Sequence, residues 1–321
     1  MALAIVLLLL CCLSVAIGAR DVGWQDIVQA LLGHDDTIGQ SAVLLRLPRT
    51  ALAVMAGVAL GLAGAVMQGV TRNPLADPGI LGVNTGAALA VVIGVVWFNM
   101  QSTSDFVWAA IVGAAGTAFF VYAIGSLGRG GATPLKLALA GAATSIALSS
   151  LVIAVVLPRN DIAGGIRSWQ IGGVGGATLD RILPVLPFIL IGLAISLLSA
   201  RRLNSLALGD ELAAGLGENV AWTRFVAAFG AILLCGATTA ACGPIGFVGL
   251  VVPHFCRLQF GSNYRWLLPF SAVGGGVLLL GADIIGRIIA RPAELDVGIL
   301  TAFIGAPFFV WMVRRHRLRE L

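Results

Sequence analysis

Few residues in this chain could do chemistry, and they are scattered. Three histidines (His34, His254, His316), five cysteines (Cys11, Cys12, Cys235, Cys242, Cys256) and one lysine (Lys136) stand in 321 residues. A metal centre needs Cys and His at short fixed intervals. No Cys-x-x-Cys or Cys/His spacing occurs, and all five cysteines lie in apolar runs, where a thiol serves as a small core residue. An intramembrane enzyme would need a catalytic cluster, but His34 and His316 fall outside the apolar runs. His254, after Pro253, reads as a packing position near a helix end and not as a proton relay or haem ligand. A nucleotide-binding loop requires a lysine after glycine to reach the β- and γ-phosphates, and Lys136 sits in TPLKL, so the chain has no means of hydrolysing ATP. One ionisable residue remains inside an apolar run, Asp283. In lipid such a residue is a functional candidate by default, and as a lone carboxylate it would carry protons in a secondary transporter. Arg287, four residues on, offers instead an i, i+4 ion pair with a structural role.

The elements that must position these residues are set by composition. The chain is 59% hydrophobic and only 11% charged, against about 25% charged in soluble domains, so its solvent is lipid. The net charge of +5 would suit nucleic acid, but basic ends on a membrane protein mark its cytoplasmic face. Charge-free stretches run over 1–19, 50–71, 78–104, 106–128, 137–158, 182–200, 225–256, 266–282 and 297–313. A span needs roughly 20 apolar residues. Residues 225–256 are too long for one span and are interrupted at Cys242-Gly243-Pro244, so they divide in two. The expected fold class is an all-α integral membrane protein of ten transmembrane helices. The first run could be a signal peptide, but it lacks a basic start and is longer than the usual apolar part, so a retained helix is expected. Twelve Arg or Lys fall on the face holding the C-terminus and eight on the other, which places both termini in the cytoplasm.

There is no soluble domain; residues 1–321 form one transmembrane unit. The connection 201–224 separates helices 1–5 (about 1–158) from helices 6–10 (about 182–313). Each half is broken by Pro and Gly between its second and third helices, at NPLADPG (73–79) and CGPIGFVG (242–249). Five spans per half reverse the sense of the second, so matching breaks suggest an inverted repeat around a transport path. Ala53, Gly57, Gly61, Ala65 and Gly69 recur every four residues on the second helix. Small residues serve in lipid where another backbone approaches closely, so this helix is expected at the centre. The loop LNSLALGDELAAGLG (203–217) reads as short helices broken at Gly209, with Asp210 and Glu211 at a helix N-terminus. Leu212 and Leu216, one turn apart beside Ala213 and Gly217, make a small apolar knob. An amphipathic linker lying on the bilayer is the plainer alternative.

The run RLPRTALAVMAGVALGLAGAVMQGVTRNPLADPGILGVNTGA (46–87) resembles the signature of FecCD-type permeases, the membrane subunits of bacterial ABC importers for iron–siderophores, haem and cobalamin. The resemblance continues through SLALGDELAAGLG (205–217), GPIGFVGLVVPHFCR (243–257) and LGADIIGR…ELDVGILTAFIGAPFF (280–309). It implies ten helices, cytoplasmic termini, an inverted repeat and a place in the bacterial inner (plasma) membrane. It also implies partners: a second permease subunit (the same chain or a paralogue), two ATPase subunits and an extracytoplasmic substrate-binding protein. No cofactor is expected on this chain, ATP and magnesium belonging to the ATPase. Leu206, Leu208, Gly209, Asp210, Glu211, Leu212, Ala213, Leu216 and Gly217 would then form the coupling segment seated on the ATPase. Arg46, Arg49 and Arg287 would dock the binding protein through its carboxylates, although interfacial snorkelling accounts for arginines at helix ends equally well. SWQIGGVGGATLD (168–180) would close the outer gate, with Trp169 anchored at the interface and Gly172 and Gly173 letting the backbone bend. Thr133 and Pro134 would form the opposite constriction. The implied cargo is an iron–siderophore complex, with haem or cobalamin as alternatives.

Overall fold

The computed structural model describes residues 2–79, 81–127 and 133–317. Two arginines of the charge count, Arg129 and Arg319, lie outside the described residues. The described residues are helical, without strands. In chain order the helices are α1 (Ala2–Ala16), α2 (Trp24–Leu31), α3 (Ile38–Thr71), α4 (Val83–Phe98), α5 (Thr103–Ser126), α6 (Pro134–Val156) and α7 (Asn160–Ile171). They continue as α8 (Leu179–Leu198), α9 (Ala200–Ala207), α10 (Asp210–Gly215), α11 (Val220–Cys242), α12 (Val248–Phe260), α13 (Tyr264–Ile289) and α14 (Val297–Arg317). Six of them, α3, α5, α6, α8, α11 and α13, are long and apolar enough to cross a membrane, and α1, α4 and α14 are shorter apolar helices.

Helix starts follow local chemistry. Thr37 opens α3 with a capping box, its hydroxyl accepting from the Gln40 amide while the Gln40 side chain accepts from the Thr37 amide. Ser102, Thr133 and Asn219 cap α5, α6 and α11 through their side chains. The α3 helix begins at Ile38, well before the apolar run at 50, and carries Arg46, Pro48 and Arg49 within it. A rule that counts only charge-free residues stops at those arginines, whereas the helix continues because their charges are satisfied inside the protein.

Of the six long helices, α3 is the most buried. Its small-residue stripe does what the spacing implies. A methyl group on Gly57 would overlap the Gly275 carbonyl, one on Gly61 the Ser271 carbonyl, and one on Gly64 the backbone of Gly249. So α3 runs backbone to backbone against α13 on one side and α12 on another. The two broken connections also meet: Nδ2 of Asn84, in the first turn of α4, donates to the Ile245 carbonyl at 3.1 Å. Both α4 and α12 open on a left-handed residue, Gly82 (φ 77°) and Phe247 (φ 68°), with no side-chain cap.

Replacing Gly64 by Ala is expected to cost about 1–3 kcal/mol by overpacking, seen as a lower melting temperature in detergent. Gly116→Ala, where an added methyl meets nothing within 4 Å, should leave it unchanged or raise it slightly.

Candidate functional site

The C-terminus of α1 leaves carbonyls that no further turn of helix can satisfy, and three arginines take them. Arg287 Nη1 donates to the carbonyls of Ser14 (2.9 Å) and Ile17 (3.1 Å). Arg46 Nη1 donates to Val15 (3.0 Å) and Ala16 (2.9 Å), and its Nη2 to Arg20 (2.6 Å). Arg291 Nη2 donates to Gly18 (2.6 Å). A directed chain of hydroxyls lies beneath: Thr50 donates to the Arg46 carbonyl, so Ser14 donates to Thr50 at 2.6 Å, which leaves Ser14 Oγ to accept from Arg287 at 2.6 Å. Guanidinium suits this end of a helix twice over, as a donor and as a positive charge facing the negative dipole end.

The same cluster holds Asp283, which is 1% exposed. Its Oδ1 accepts from Arg49 Nε (3.0 Å) and Nη2 (2.8 Å), and its Oδ2 lies 2.7 Å from Arg287 Nη2. Asp283 is therefore the shared counter-ion of two arginines, which answers the proton-carrier alternative: the carboxylate is walled in and ion-paired on both oxygens. The remaining fork of Arg49 reaches Glu294, through Nη1 to Oε2 at 2.5 Å. This geometry corrects two docking assignments. Arg287 (1% exposed) and Arg46 (7% exposed) spend their donors on α1 and Asp283 and present no free fork to a partner. Arg49 alone of the three reaches the surface, and it does so through Glu294.

Beside this cluster three chain breaks meet at a glycine junction. The Gly173 amide donates to the Cys242 carbonyl (2.8 Å), and the Gly298 amide donates to the Gly172 carbonyl (2.9 Å). A methyl on Gly243 would overlap the Trp169 carbonyl, one on Gly298 the Ile171 carbonyl, and one on Gly173 the carboxylate of Asp296. The C-terminus of α7, the α11–α12 break and the α13–α14 connection are thus pressed together. Gly172 has no room for a side chain against the Pro244 carbonyl and Gly173 none against the Asp296 side chain, so close packing surrounds both glycines. Trp169 is half-buried and packs on the main core. Burial pushes the Asp296 carboxyl above its ordinary value, Arg49 pulls the other way and Glu294 adds to the rise.

At the opposite end of α3, α9 and α10 form the expected broken pair, turning at Gly209 (φ 114°). Leu208, Leu212 and Leu216 are exposed (57%, 61% and 65%), and Glu211 and Gly217 lie exposed beside them. Leu206 and Ala213, expected in the docking segment, are fully buried and anchor the pair from below. Asp210 pairs with Arg224 at 2.8 Å and lies 3.6 Å from Arg72, the left-handed cap of α3. Nearby, Thr133 caps α6 by accepting from the Lys136 amide, and Pro134 takes the first helical position. The turn that follows borders an apolar cleft of about 330 Å³ lined by Thr71, Asn73, Leu75, Leu135 and Phe309. His254 is buried, its ring edge-on to Phe308 with centroids 5.7 Å apart.

Sequence reasoning missed Ser14, Arg291 and Glu294. Ser14 could have been found as the one polar residue of α1, and Glu294 as the acid opening ELDVGIL.

A model of the FecCD transport family matches residues 6–315. The chain belongs to that family. Among curated FecCD relatives, the ferric enterobactin transport system permease protein FepD of Escherichia coli is 42% identical over 98% of this chain and 94% of its own length. The probable siderophore transport system permease protein YfiZ of Bacillus subtilis is 41% identical over the same shares. A metal-chelate type ABC transporter solved in an inward-facing conformation superposes with a TM-score of 0.82, at 29% identity, covering 98% of each chain. The protein is a multi-pass membrane permease subunit of an ABC importer and not itself an enzyme.

Asp283→Asn should destabilise the permease by about 3–5 kcal/mol, the usual cost of stripping one partner from a buried ion pair, read as a lowered melting temperature in detergent. Unchanged melting would mean the cluster does not hold the fold.

Proposed function

We propose that this permease carries ferric siderophore complexes, paired with a second permease subunit across the path, above two ATPase subunits and below an extracytoplasmic binding protein. The observation that carries this reading is alignment over nearly the whole chain with permeases named for siderophore, enterobactin, citrate and hydroxamate iron transport, at 40–42% identity. A haemin permease aligns at 36%, which makes haem the second candidate cargo. In this reading ten helices cross the inner membrane of a bacterium: the six long ones together with α1, α4, α12 and α14. The left-handed starts of α4 and α12, at matching places in the two halves, support the inverted repeat of five plus five. The excess of basic residues at the Arg72 end puts that end, and both termini, in the cytoplasm.

On α6, Ala142, Ala143, Ser149 and Ser150 are exposed among larger apolar residues such as Leu139 and Ile146, which supports a mainly apolar path with few polar groups. A bulky chelate passes such a wall without being held. Arg49 and the glycine junction form the outer end, where the binding protein docks and α7 closes the path. Thr133 and Pro134 stand at the inner constriction. The knob of Leu208, Leu212 and Leu216 seats on the ATPase, and Asp210 passes its movement to α3 through Arg72 and to α11 through Arg224.

Two outcomes are expected of the complex in lipid vesicles. Uptake of iron-labelled siderophore should require ATP and should not be competed by excess haemin; efficient competition would favour haem as cargo. Changing Leu212 and Leu216 together to Asp should abolish ATPase stimulation by the loaded binding protein while melting behaviour is retained. Preserved stimulation would remove the knob from the coupling path.

A further inference from the structure

We infer that Glu294 is a built-in stand-in for the partner's carboxylate, occupying Arg49 until the binding protein displaces it, and that this displacement frees the segment that holds the outer closure. The inference rests on the proposed docking role of Arg49.

Of the two carboxylates on Arg49, only one can leave. Asp283 is 1% exposed and is also held by Arg287. Glu294 is 38% exposed and touches Arg49 through Nη1 alone. An acid arriving from solution therefore meets the Arg49 fork where Glu294 now sits. Arg49 is 12% and Glu294 38% exposed, so Glu294 is the solvent-side member of the pair, and a partner presenting a carboxylate on a preformed surface can replace it. Among the described residues, the acids ion-paired with Arg49, Arg287 and Arg291 are Asp21, Asp283 and Glu294, and Arg46 lies in the same cluster. With Glu294 withdrawn, the patch is left with more positive charge toward an acidic partner.

Glu294 is also connected to the junction. The next residue, Leu295, donates its amide to the Gly286 carbonyl at 3.2 Å. Asp296 lies against Gly173, and the Gly298 amide holds the Gly172 carbonyl at 2.9 Å. Three residues thus separate the Arg49 contact at Glu294 from the bond at Gly298 that fastens the end of α7. Moving Glu294 off Arg49 pulls on this segment at the point where α7 is tied down. Glu294 acts through Arg49 and Gly298 and is a positioning residue.

The test uses the permease–ATPase complex in nanodiscs, with the extracytoplasmic binding protein of the proposed transporter as the probe. Removing the internal competitor should strengthen binding, a change that damage to the fold does not produce. Glu294→Gln is expected to tighten the dissociation constant about two- to fivefold, the range of an exposed ion pair, and to raise ATPase activity measured without binding protein. Glu294→Asp should stay near the parent value, and Arg49→Gln should weaken binding. Arg49→Lys, which keeps a charge beside Asp283, replaces Arg49→Gln if that variant melts early. Unchanged or weaker binding in Glu294→Gln, with Arg49 variants still weakened, overturns the stand-in and leaves docking intact. Arg49 variants that bind like the parent overturn both.

Discussion

Arg49 meets Asp283 in the same antiparallel register in which Gly57 meets Gly275 and Gly61 meets Ser271. Each step along α3 is matched by an equal step backward along α13, and much of the molecule follows from that alignment. The glycines let the two backbones touch, and the touching backbones bring a guanidinium within 2.8 Å of a carboxylate that is 1% exposed. Neither side chain could stand alone, because leaving one partner of a buried ion pair uncompensated costs about 3–5 kcal/mol. Together with Arg287 they form one compensated group. The donors left over after Asp283 is satisfied reach the end of α1, so the first helix is fastened by the same charges that pair α3 with α13.

The long α3 helix joins the two ends of the molecule. At 34 residues it measures about 51 Å at 1.5 Å per residue, well beyond a hydrocarbon core of about 30 Å. One end carries the Arg49 cluster and the other ends at Arg72, within reach of Asp210 on the exposed knob. Between these ends the backbone contacts at Gly57, Gly61 and Gly64 tie the middle of α3 to α13 and α12. The breaks in the chain that meet beside it lie at Gly172, at the α11–α12 connection and in the segment that carries Glu294.

Composition and spacing revealed what depends on local pattern. The lipid-facing character, the small-residue stripe of α3, the two Pro/Gly breaks and the short helices turning at Gly209 could all be read from neighbouring residues, and the family motifs from their order. What could not be read is which residues meet across long sequence separations. Arg46, Arg49 and Arg287 look equivalent in sequence, yet two turn inward because the end of α1 lies beside them. Leu206 and Ala213 differ from Leu208 and Leu212 only by which side of a short helix faces the bundle. Gly172 and Gly173 read as free to bend, but the Pro244 carbonyl and the Asp296 side chain press on them. Each misreading has the same physical source: helix packing register is a property of pairs.

The central claim is that this permease is a passive conduit, its buried acid a counter-ion and its motion supplied from outside. The most direct measurement compares siderophore uptake into vesicles holding the assembled transporter, driven either by ATP or by an imposed pH gradient without nucleotide. The account predicts accumulation with ATP and none with the gradient. Accumulation driven by the gradient alone, and lost in Asp283→Asn, would contradict it.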